Sequence, residues 1–323
     1  MDISEGIVSL ADGKAISSDL IICADGISSR TRSTVIDIPS CSPRPLQDSV
    51  YRAMLPRAVM MSRPETDKLI STDSAQLFMG PKRALLAYPI AQGKLYNIAI
   101  TALDTNPSSD TDRIGRWNDP VDINELKRLF HDFCPQVQSL LGLVETCTKW
   151  TIAEVPPLET WSSKSGRVVL LGDAAHAMSP HLAQGSAMAI EDAAVLGECL
   201  QRVESTQCNL TQALQWYEQI RKPRVERIAG LARQNGASML LEDGPEQEQR
   251  DRKFGASLDA NQSRVMTKVL SEAVADQNAP WATPAFSKWL YGFDALKDAQ
   301  IRLERLSGLQ NSQVTSAELR ATN

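Results

Sequence analysis

The chain has 323 residues, 42% of them hydrophobic and 23% charged, with a formal net charge of −5 at pH 7. This size and composition are those of a globular protein with one large domain or two. The acidic balance and the lack of a long Lys/Arg block argue against nucleic acid as a partner, and the longest apolar runs are too short to span a bilayer.

The amino-terminal stretch MDISEGIVSL has neither the basic region nor the apolar region of a signal peptide. The six cysteines form no CxxC pair and no disulfide-framework spacing, so we expect reduced thiols in a cytoplasmic protein. The three histidines, His131, His176 and His181, do not have the spacing of a metal site, and we expect no bound metal.

The first predicted elements are two strands at residues 7–10 and 15–24, joined by a tight turn. Residues 20–24 are continuously apolar, which is typical of a strand covered on both faces. This strand ends in Asp25-Gly26.

A second group of predicted strands follows at residues 75–79, 83–90 and 95–103, with turn residues between them, and indicates an antiparallel meander. The polar residues 105–120 are typical of a surface loop. Residues 121–141 are predicted to be helical.

The buried-strand pattern returns at residues 168–171, and a helical apolar stripe covers residues 185–203. Residues 210–235 predict one long helix or two, interrupted at Pro223. The polar tail after Ser307 predicts disorder. Buried strands interrupted by an antiparallel sheet and then resumed indicate a cofactor domain with an interleaved substrate domain.

The stretch GRVVLLGDAAHAMSPHLAQGSAMAIEDAAVL, residues 166–196, contains the most informative chemistry. Asp173 lies at the carboxyl end of a buried strand, where ligands bind in open α/β sheets and where a carboxylate can accept hydrogen bonds from sugar-like hydroxyls. Gly172 lets the backbone approach a ligand closely. The helix that begins near Gly185 offers unpaired N–H groups and small side chains beside a flat ring. Alone, this pattern equally fits an ordinary α/β crossover.

This stretch resembles the second flavin-binding signature of the FAD-dependent aromatic-ring monooxygenases. That family comprises the para-hydroxybenzoate and salicylate hydroxylase group, with many fungal secondary-metabolism enzymes. The stretch DLIICADGISSRTR resembles the Asp-Gly motif of the same family, with Asp25, Gly26 and Arg32 in the expected places. The stretches YEQIRKPRVERIAGLARQNG, WLYGFDA and PPLETW are similar to the salicylate-hydroxylase branch.

The resemblance implies a set of residues for FAD. Asp173 would bind the ribityl chain, and Asp25, Gly26 and Arg32 would support the use of both FAD and NADPH. Gly172 would belong to the same cofactor-binding set. The isoalloxazine ring would lie against the backbone around a further set of residues: Pro180, Gln184, Gly185, Ser186 and Ala187. The helix that begins there would stabilise the reduced flavin anion.

Two further residues are candidates for catalysis. Arg52, in VYRAML, resembles an arginine that the family places near flavin and substrate; the alternative is an ordinary ion pair. Tyr88, in LLAYPI, is predicted to lie on a strand of the substrate sheet. The alternative for Tyr88, which the sequence favours, is a core tyrosine with one hydrogen-bond partner.

The expected fold class is α/β (α+β overall), with a partial Rossmann-type FAD-binding domain interleaved with an antiparallel-sheet substrate domain. We expect the first FAD segment at residues 1–34, the substrate domain at 35–150, the second FAD segment at 151–205, and helices with a polar tail at 206–323. The chain would be a monomer or a homodimer.

The resemblance implies reduction of FAD by NAD(P)H and transfer of one oxygen atom of O2, through a flavin C4a-hydroperoxide, by hydroxylation or epoxidation. The substrate would be a small aromatic or a polyketide- or alkaloid-like metabolite.

The family's dinucleotide loop, GxGxxG, is absent from the sequence. We therefore expect the chain to be N-terminally truncated by at least one βαβ unit. A non-catalytic remnant or binding protein derived from such a monooxygenase is the alternative interpretation. A third is a protein that uses the pocket for a non-redox reaction, for which the sequence gives no specific support.

Overall fold

The computed structural model describes residues 5–36, 41–103, 114, 119–262 and 284–321. The chain divides into two compact units. Unit 1 consists of Met1–Arg44, Glu154–Arg233 and Ser287–Asn323, and unit 2 of Pro45–Ala153 and Gln234–Phe286. Helices and sheets occur in both units, as the α/β fold class predicts. The four-segment domain division stays a prediction.

Unit 1 contains two small sheets. Strands β1 (Ile7–Ser9) and β2 (Ala15–Ser17) pair antiparallel, and β3 (Ile21–Cys23) pairs parallel with β10 (Val168–Leu170). The prediction of one strand over residues 15–24 is wrong, because the Ser18 hydroxyl donates to the Leu20 carbonyl and turns the chain between β2 and β3.

The two strands of the parallel pair differ in burial. Strand β10 is completely buried, as its apolar sequence predicts. In β3, however, Ile22 is 48% exposed, so the expectation of cover on both faces is wrong for this strand. Both strands end at loops that contain an Asp-Gly or Gly-Asp pair, which places those loops at one edge of the sheet.

Six helices complete unit 1: α1 (Arg32–Val35), α6 (Asp173–His176), α7 (Gly185–Glu204), α8 (Leu210–Met239, which extends into unit 2), α10 (Pro284–Tyr291, which begins in unit 2) and α11 (Ala295–Ala321). A short 3₁₀ helix, Pro180–Leu182, precedes α7. The prediction of α7 over residues 185–203 is confirmed to within one residue.

Two predictions for the last helices are wrong. Pro223 lies inside the continuous helix α8 and does not interrupt it. Arg221 and Arg224, on either side of it, both bind Glu191 of α7. The backbone after Ser307 is helical to Ala321, where we expected disorder. Buried Ala299 and Leu303 and the good helix formers of α11 explain its formation.

Unit 2 is built on a six-stranded sheet with the order β5-β6-β7-β4-β9-β8. Its strands are β4 (Arg44–Pro56), β5 (Gln76–Gly80), β6 (Arg83–Ile90), β7 (Leu95–Leu103), β8 (Asp119–Pro120) and β9 (Thr148–Glu154). The predicted meander is confirmed, since β5, β6 and β7 pair antiparallel in sequence order. The predicted loop at residues 105–120 lies mostly outside the described residues.

The described part of unit 2 contains the helices α2 (Arg57–Met60), α3 (Pro64–Ile70), α4 (Ile123–Leu129), α5 (Pro135–Gly142) and α9 (Pro245–Gln262). One helix was expected over residues 121–141, but two are present. Pro135 begins α5, and the residue before it, Cys134, is extended at ψ 157° because a proline disfavours the helical conformation of its predecessor.

The sheet of unit 2 has one face in the core. Tyr96, Ile98 and Ile100 alternate along β7 and pack in a buried apolar cluster with residues of α4 and α5, such as Leu126 and Leu140. The intervening residues of β7 therefore belong to the opposite face. Within the part of the chain that the structure describes, no helix is both long and apolar enough to cross a bilayer.

The core position of Ile98 can be tested by truncation. We expect Ile98→Ala to lower the free energy of unfolding by about 3 kcal/mol, because it removes a completely buried side chain and leaves a cavity. Met54→Ala, on the opposite face and 54% exposed, should cost less than about 1 kcal/mol. Chemical denaturation of both variants measures the difference; equal losses would contradict the assignment of the two faces.

Candidate functional site

The loop after β10 presents an acidic side chain to solvent. Gly172 has a φ of 61°, and a Cβ there would lie 3.0 Å from the Cβ of Ala189 in α7, so this position requires glycine. Asp173 follows and begins α6, with its side chain exposed. Among the described residues its carboxylate has no hydrogen-bond partner, which leaves both oxygens available to a ligand.

The amino terminus of α7 lies opposite this carboxylate. A Cβ built on Gly185 would be 3.9 Å from the Asp173 Oδ1 atom, so only a narrow space separates them. Gln184 supplies no side-chain cap, and the first turn of α7 carries no acidic residue. The N–H groups of Gly185, Ser186 and Ala187 are therefore available, at the positive end of a 20-residue helix.

The segment between these two features is held in a bent conformation. Pro180 begins the 3₁₀ helix with an exposed side chain, and Ala183 follows at a φ of 53°, which is unusual for a residue with a Cβ. Gln184 is buried. The structure thus brings Gly172, Asp173 and the first turn of α7 together, as the sequence predicts, and connects them through this segment.

The second loop at the same sheet edge follows β3. The Asp25 carboxylate accepts hydrogen bonds from the N–H groups of Arg30 (2.9 Å) and Thr31 (3.3 Å) and from the Thr31 hydroxyl (2.9 Å). Desolvation alone would raise the pKa of Asp25, but the hydrogen bonds from Ser29 and Thr31 together lower it. Gly26 has a φ of 79°. Asp25 therefore organises its own loop.

Arg32 joins the two loops. Its side chain is buried, and its guanidinium donates to five backbone carbonyl oxygens, all in unit 1: Ala174 (2.6 Å), Ile27 (2.8 Å), Asp173 (3.2 Å), Gly26 (3.3 Å) and Cys41 (3.4 Å). Because each of its three nitrogens donates to a backbone carbonyl, Arg32 shapes the site through the backbone of both loops.

A buried carboxylate lies directly behind the Asp173 loop. Asp192 is completely buried, and its Oδ2 atom accepts from the Gly172 N–H (3.2 Å) and from Nε2 of His176 (2.6 Å). Its Oδ1 atom accepts from Nε of Arg221 in α8 (2.8 Å). Both oxygens are therefore used, one by the loop and the other by α8.

The neighbouring carboxylate extends this network toward α10. Glu191 accepts from Arg221 (2.7 Å) and from two nitrogens of Arg224 (2.8 and 3.0 Å). The Arg224 guanidinium also stacks 3.6 Å from the ring centre of Phe293 and donates to the Leu290 carbonyl. Arg221 and Arg224 therefore connect helices in the interior of unit 1.

The charge state of Asp192 follows from its partners. Burial alone would raise the pKa of this carboxyl, but the hydrogen bond from His176, together with Arg221, outweighs burial and lowers the pKa. The nearby Tyr217 phenol has a pKa well above its ordinary value because it is buried and close to the Asp192 charge. Asp192 is therefore an anion at neutral pH.

The candidate catalytic residues share one face of the unit 2 sheet. Tyr88, Asn97 and Met54 are directly cross-paired on neighbouring strands, on the face opposite the core cluster. Tyr88 is half-buried there, so its interpretation as a core tyrosine is wrong. Nε of Arg52 donates to Oδ1 of the buried Asn97 (3.1 Å); among the described residues this neutral amide, and not a carboxylate, is its side-chain partner.

The residues of unit 1 fit the flavin ring and ribityl chain of FAD. The unbonded Asp173 carboxylate suits the hydroxyls of a ribityl chain, and the small side chains and free N–H groups of α7 suit a flat ring that gains negative charge. The described residues contain no group of three or more His, Cys, Asp or Glu arranged to hold a metal ion.

Comparison with known proteins agrees with this geometry. The family model described as the FAD binding domain matches residues 5–232. This chain belongs to the FAD-dependent aromatic monooxygenase family.

Individual relatives have names of the same kind. The FAD-dependent monooxygenase OpS4 of Beauveria bassiana is 30% identical over 295 residues, which are 91% of this chain and 64% of the relative. The 3-hydroxybenzoate 6-hydroxylase 2 of Aquipseudomonas alcaligenes is 33% identical over 225 residues, 70% of this chain and 64% of the relative. The chain thus spans a little under two thirds of the length of these curated members.

A salicylate hydroxylase solved as a substrate complex has the same fold. It superimposes with a TM-score of 0.69 at 22% identity, covering 94% of this chain and 68% of the other. The expected family and fold are confirmed, whereas the roles of individual site residues stay predictions.

The ion network of Asp192 and Glu191 was missed by the sequence analysis. A signal was present, since Asp192 falls in the buried stripe of α7 with Met188, Val195 and Cys199. A carboxylate in such a stripe needs a cationic partner in the interior. The arginines of IRKPR, three residues apart on the next helix, were the available candidates.

Replacement of Arg32 tests its function as the link between the loops. We expect Arg32→Met to lower stability by about 3 kcal/mol or more, because buried carbonyl oxygens lose their donors. The exposed neighbouring arginine supplies the control, Arg30→Lys, which should change stability by less than about 0.5 kcal/mol. Thermal unfolding measures both, and a wild-type melting temperature for Arg32→Met would contradict this function.

The lowered pKa of Asp192 predicts a pH dependence. Its stabilising contribution is present above the unfolded-state pKa of about 3.9 and is lost as the pH falls through the lower folded-state value. We therefore expect the stability of the wild type to fall more steeply below about pH 4 than that of Asp192→Asn. Denaturation at a series of pH values measures both slopes; parallel curves would refute the prediction.

Proposed function

We propose that this chain acts as a FAD- and NAD(P)H-dependent monooxygenase that inserts one oxygen atom of O2 into a small aromatic or related secondary metabolite. Hydroxylation is the first expected reaction and epoxidation the second. The observation that carries the proposal is the unbonded Asp173 carboxylate, which faces the uncapped first turn of α7 across a narrow space. Membership of the FAD-dependent family supports the same conclusion.

In this proposal the residues of unit 1 bind and orient the cofactor. Bound FAD supplies hydride acceptance and oxygen activation, which protein side chains cannot provide. Asp173 accepts hydrogen bonds from ribityl hydroxyls. The N–H groups of Gly185, Ser186 and Ala187 stabilise negative charge on the ring, at the positive end of α7. Arg32 and Asp25 keep the two loops in place, and the positive φ of Gly26 shapes the turn of the second loop.

The residues of unit 2 are proposed to contact the substrate. The guanidinium of Arg52 is held at Nε by Asn97, and its terminal nitrogens suit an acidic or phenolic group. Tyr88 lies on the same face and offers a hydroxyl and an aromatic ring. Relatives named for hydroxybenzoates support an aromatic substrate.

The cellular context is also a proposal. All six cysteines are free thiols, which supports a reducing compartment such as the cytoplasm. We propose a monomer or a homodimer. The alternative of a non-catalytic remnant is not favoured, because the matched relatives are named as monooxygenases and hydroxylases.

The proposal predicts a flavin spectrum. We expect the purified chain to retain visible flavin absorbance after it is mixed with FAD and desalted. Asp173→Ala should lower the affinity for FAD by about tenfold or more. Asp19→Ala, which removes an exposed aspartate just before β3, is the matched control and should bind like the wild type. Wild-type affinity in Asp173→Ala would contradict the cofactor assignment.

The reaction itself is tested by turnover. The FAD-loaded chain should oxidise NAD(P)H faster with a phenolic acid present and release a product that contains one additional oxygen atom, measured by mass spectrometry with labelled O2. NAD(P)H oxidation without oxygenated product from any phenol tested would overturn the monooxygenase assignment while leaving FAD binding intact.

A further inference from the structure

We propose that Asp192 is a positioning residue for flavin binding, which acts through Gly172 and His176 without contacting the cofactor. The inference rests on the proposed function, because it concerns the loop that presents Asp173 to FAD.

The carboxylate of Asp192 holds the Asp173 loop at both ends. Its Oδ2 atom accepts from the Gly172 N–H, immediately before Asp173, and from the His176 ring at the end of the same four-residue helix. A single helical turn is not stable by itself, because its nucleation costs more than its few hydrogen bonds return. Asp192 therefore supplies an external anchor at Gly172 and His176, in addition to that of Arg32 at the Asp173 and Ala174 carbonyls, and the two anchors fix the direction of the Asp173 side chain.

The other oxygen of Asp192 connects this anchor to α8. Oδ1 accepts from Nε of Arg221, and both side chains are almost completely buried. Because the partners of the two oxygens are all donors, the site requires a group that only accepts. A carboxylate meets this requirement, and an amide of the same shape cannot.

The position of the proton on the His176 imidazole depends on Asp192. Since a carboxylate only accepts, Nε2 of His176 must carry the proton in the 2.6 Å hydrogen bond to Asp192. The other ring nitrogen, Nδ1, is buried without a hydrogen-bond partner among the described residues. The Asp192 carboxylate alone therefore determines which nitrogen of His176 is protonated.

Asparagine at position 192 reverses this pattern. If the asparagine oxygen faces Arg221, its NH₂ group faces two donors, the Gly172 N–H and Nε2–H of His176. His176 can relieve its part of this conflict by moving its proton to Nδ1, but the Gly172 N–H cannot. If the amide is flipped, its NH₂ group faces Arg221 instead. In both orientations one part of the network loses its acceptor.

Glu191 provides a matched control on the same helix. It accepts from Arg221 and Arg224, as a structural contact between α7 and α8, but it contacts neither Gly172 nor His176. Glu191→Gln therefore weakens the contact between the helices without a direct effect on the Asp173 loop. The pair Asp192→Asn and Glu191→Gln distinguishes positioning of the loop from general loss of stability.

The first measurements use the protein without FAD, so they do not depend on the proposed function. In Asp192→Asn we expect faster amide hydrogen exchange at residues 172–176 and a change of the His176 ring ¹⁵N shifts to the Nδ1-protonated pattern. Glu191→Gln should lower the melting temperature but keep wild-type exchange and ¹⁵N shifts at this loop. Wild-type values in a folded Asp192→Asn protein, or equal changes in both variants, would overturn the proposal.

FAD titration then tests the consequence for binding. We expect about tenfold weaker FAD affinity in Asp192→Asn and a change of less than twofold in Glu191→Gln. A wild type that binds no FAD would refute the proposed function and the binding half of this inference, whereas the exchange data would still decide whether Asp192 holds the loop.

A second variant covers a failure of Asp192→Asn to fold. His176→Phe keeps a ring against Trp161, which lies 5.0 Å from the imidazole centre, and keeps the Asp192–Arg221 pair. It should increase amide exchange at residues 173–176 and weaken FAD binding. Wild-type exchange and affinity in His176→Phe would overturn the proposal.

Discussion

The buried ion pair between Asp192 and Arg221 is the interaction on which the candidate cofactor site of unit 1 depends. Each charge is removed from water, so neither side chain could occupy this position without the other. The pair also sets the geometry of its surroundings, because the second carboxylate oxygen holds Gly172 and His176. The direction of the exposed Asp173 side chain thus follows from a charge that no ligand touches.

Arg32 holds the same loop, and the loop after β3, through hydrogen bonds to their backbone carbonyls. It satisfies five carbonyl oxygens with one planar cation, and the carbonyls belong to both loops at the sheet edge and to the segment that follows α1. The buried anion accepts from the Gly172 N–H, and the buried cation donates to the Asp173 carbonyl. The loop is thereby fixed while its acidic side chain and the first turn of α7 stay available.

The sequence predicts the elements whose signal is local. Strands β6 and β7 are largely apolar runs bounded by turn residues, and α7 has an apolar stripe, so their bounds agree with the structure to within one residue. The resemblance likewise located Gly172, Asp173 and the start of α7. The break between β2 and β3 depends on one serine hydroxyl, and the Asp192 network joins residues on separate helices. The buried position of Asp192 in the α7 stripe indicates that it needs a cationic partner, but no local pattern identifies which residue on another helix that partner is.

The interleaving of the two units has a consequence for the order of folding. Arg32 bonds to Ala174, 142 residues further along, and β3 pairs with the distant strand β10, whereas strands β4 to β7 of unit 2 follow one another closely in the chain. During synthesis, the sheet of unit 2 can start to assemble while β3 still lacks its partner. At roughly 5–20 residues per second, this delay is on the order of ten seconds. Until β10 is made, the edge of β3 that pairs with it is open, and an open strand edge favours binding by chaperones.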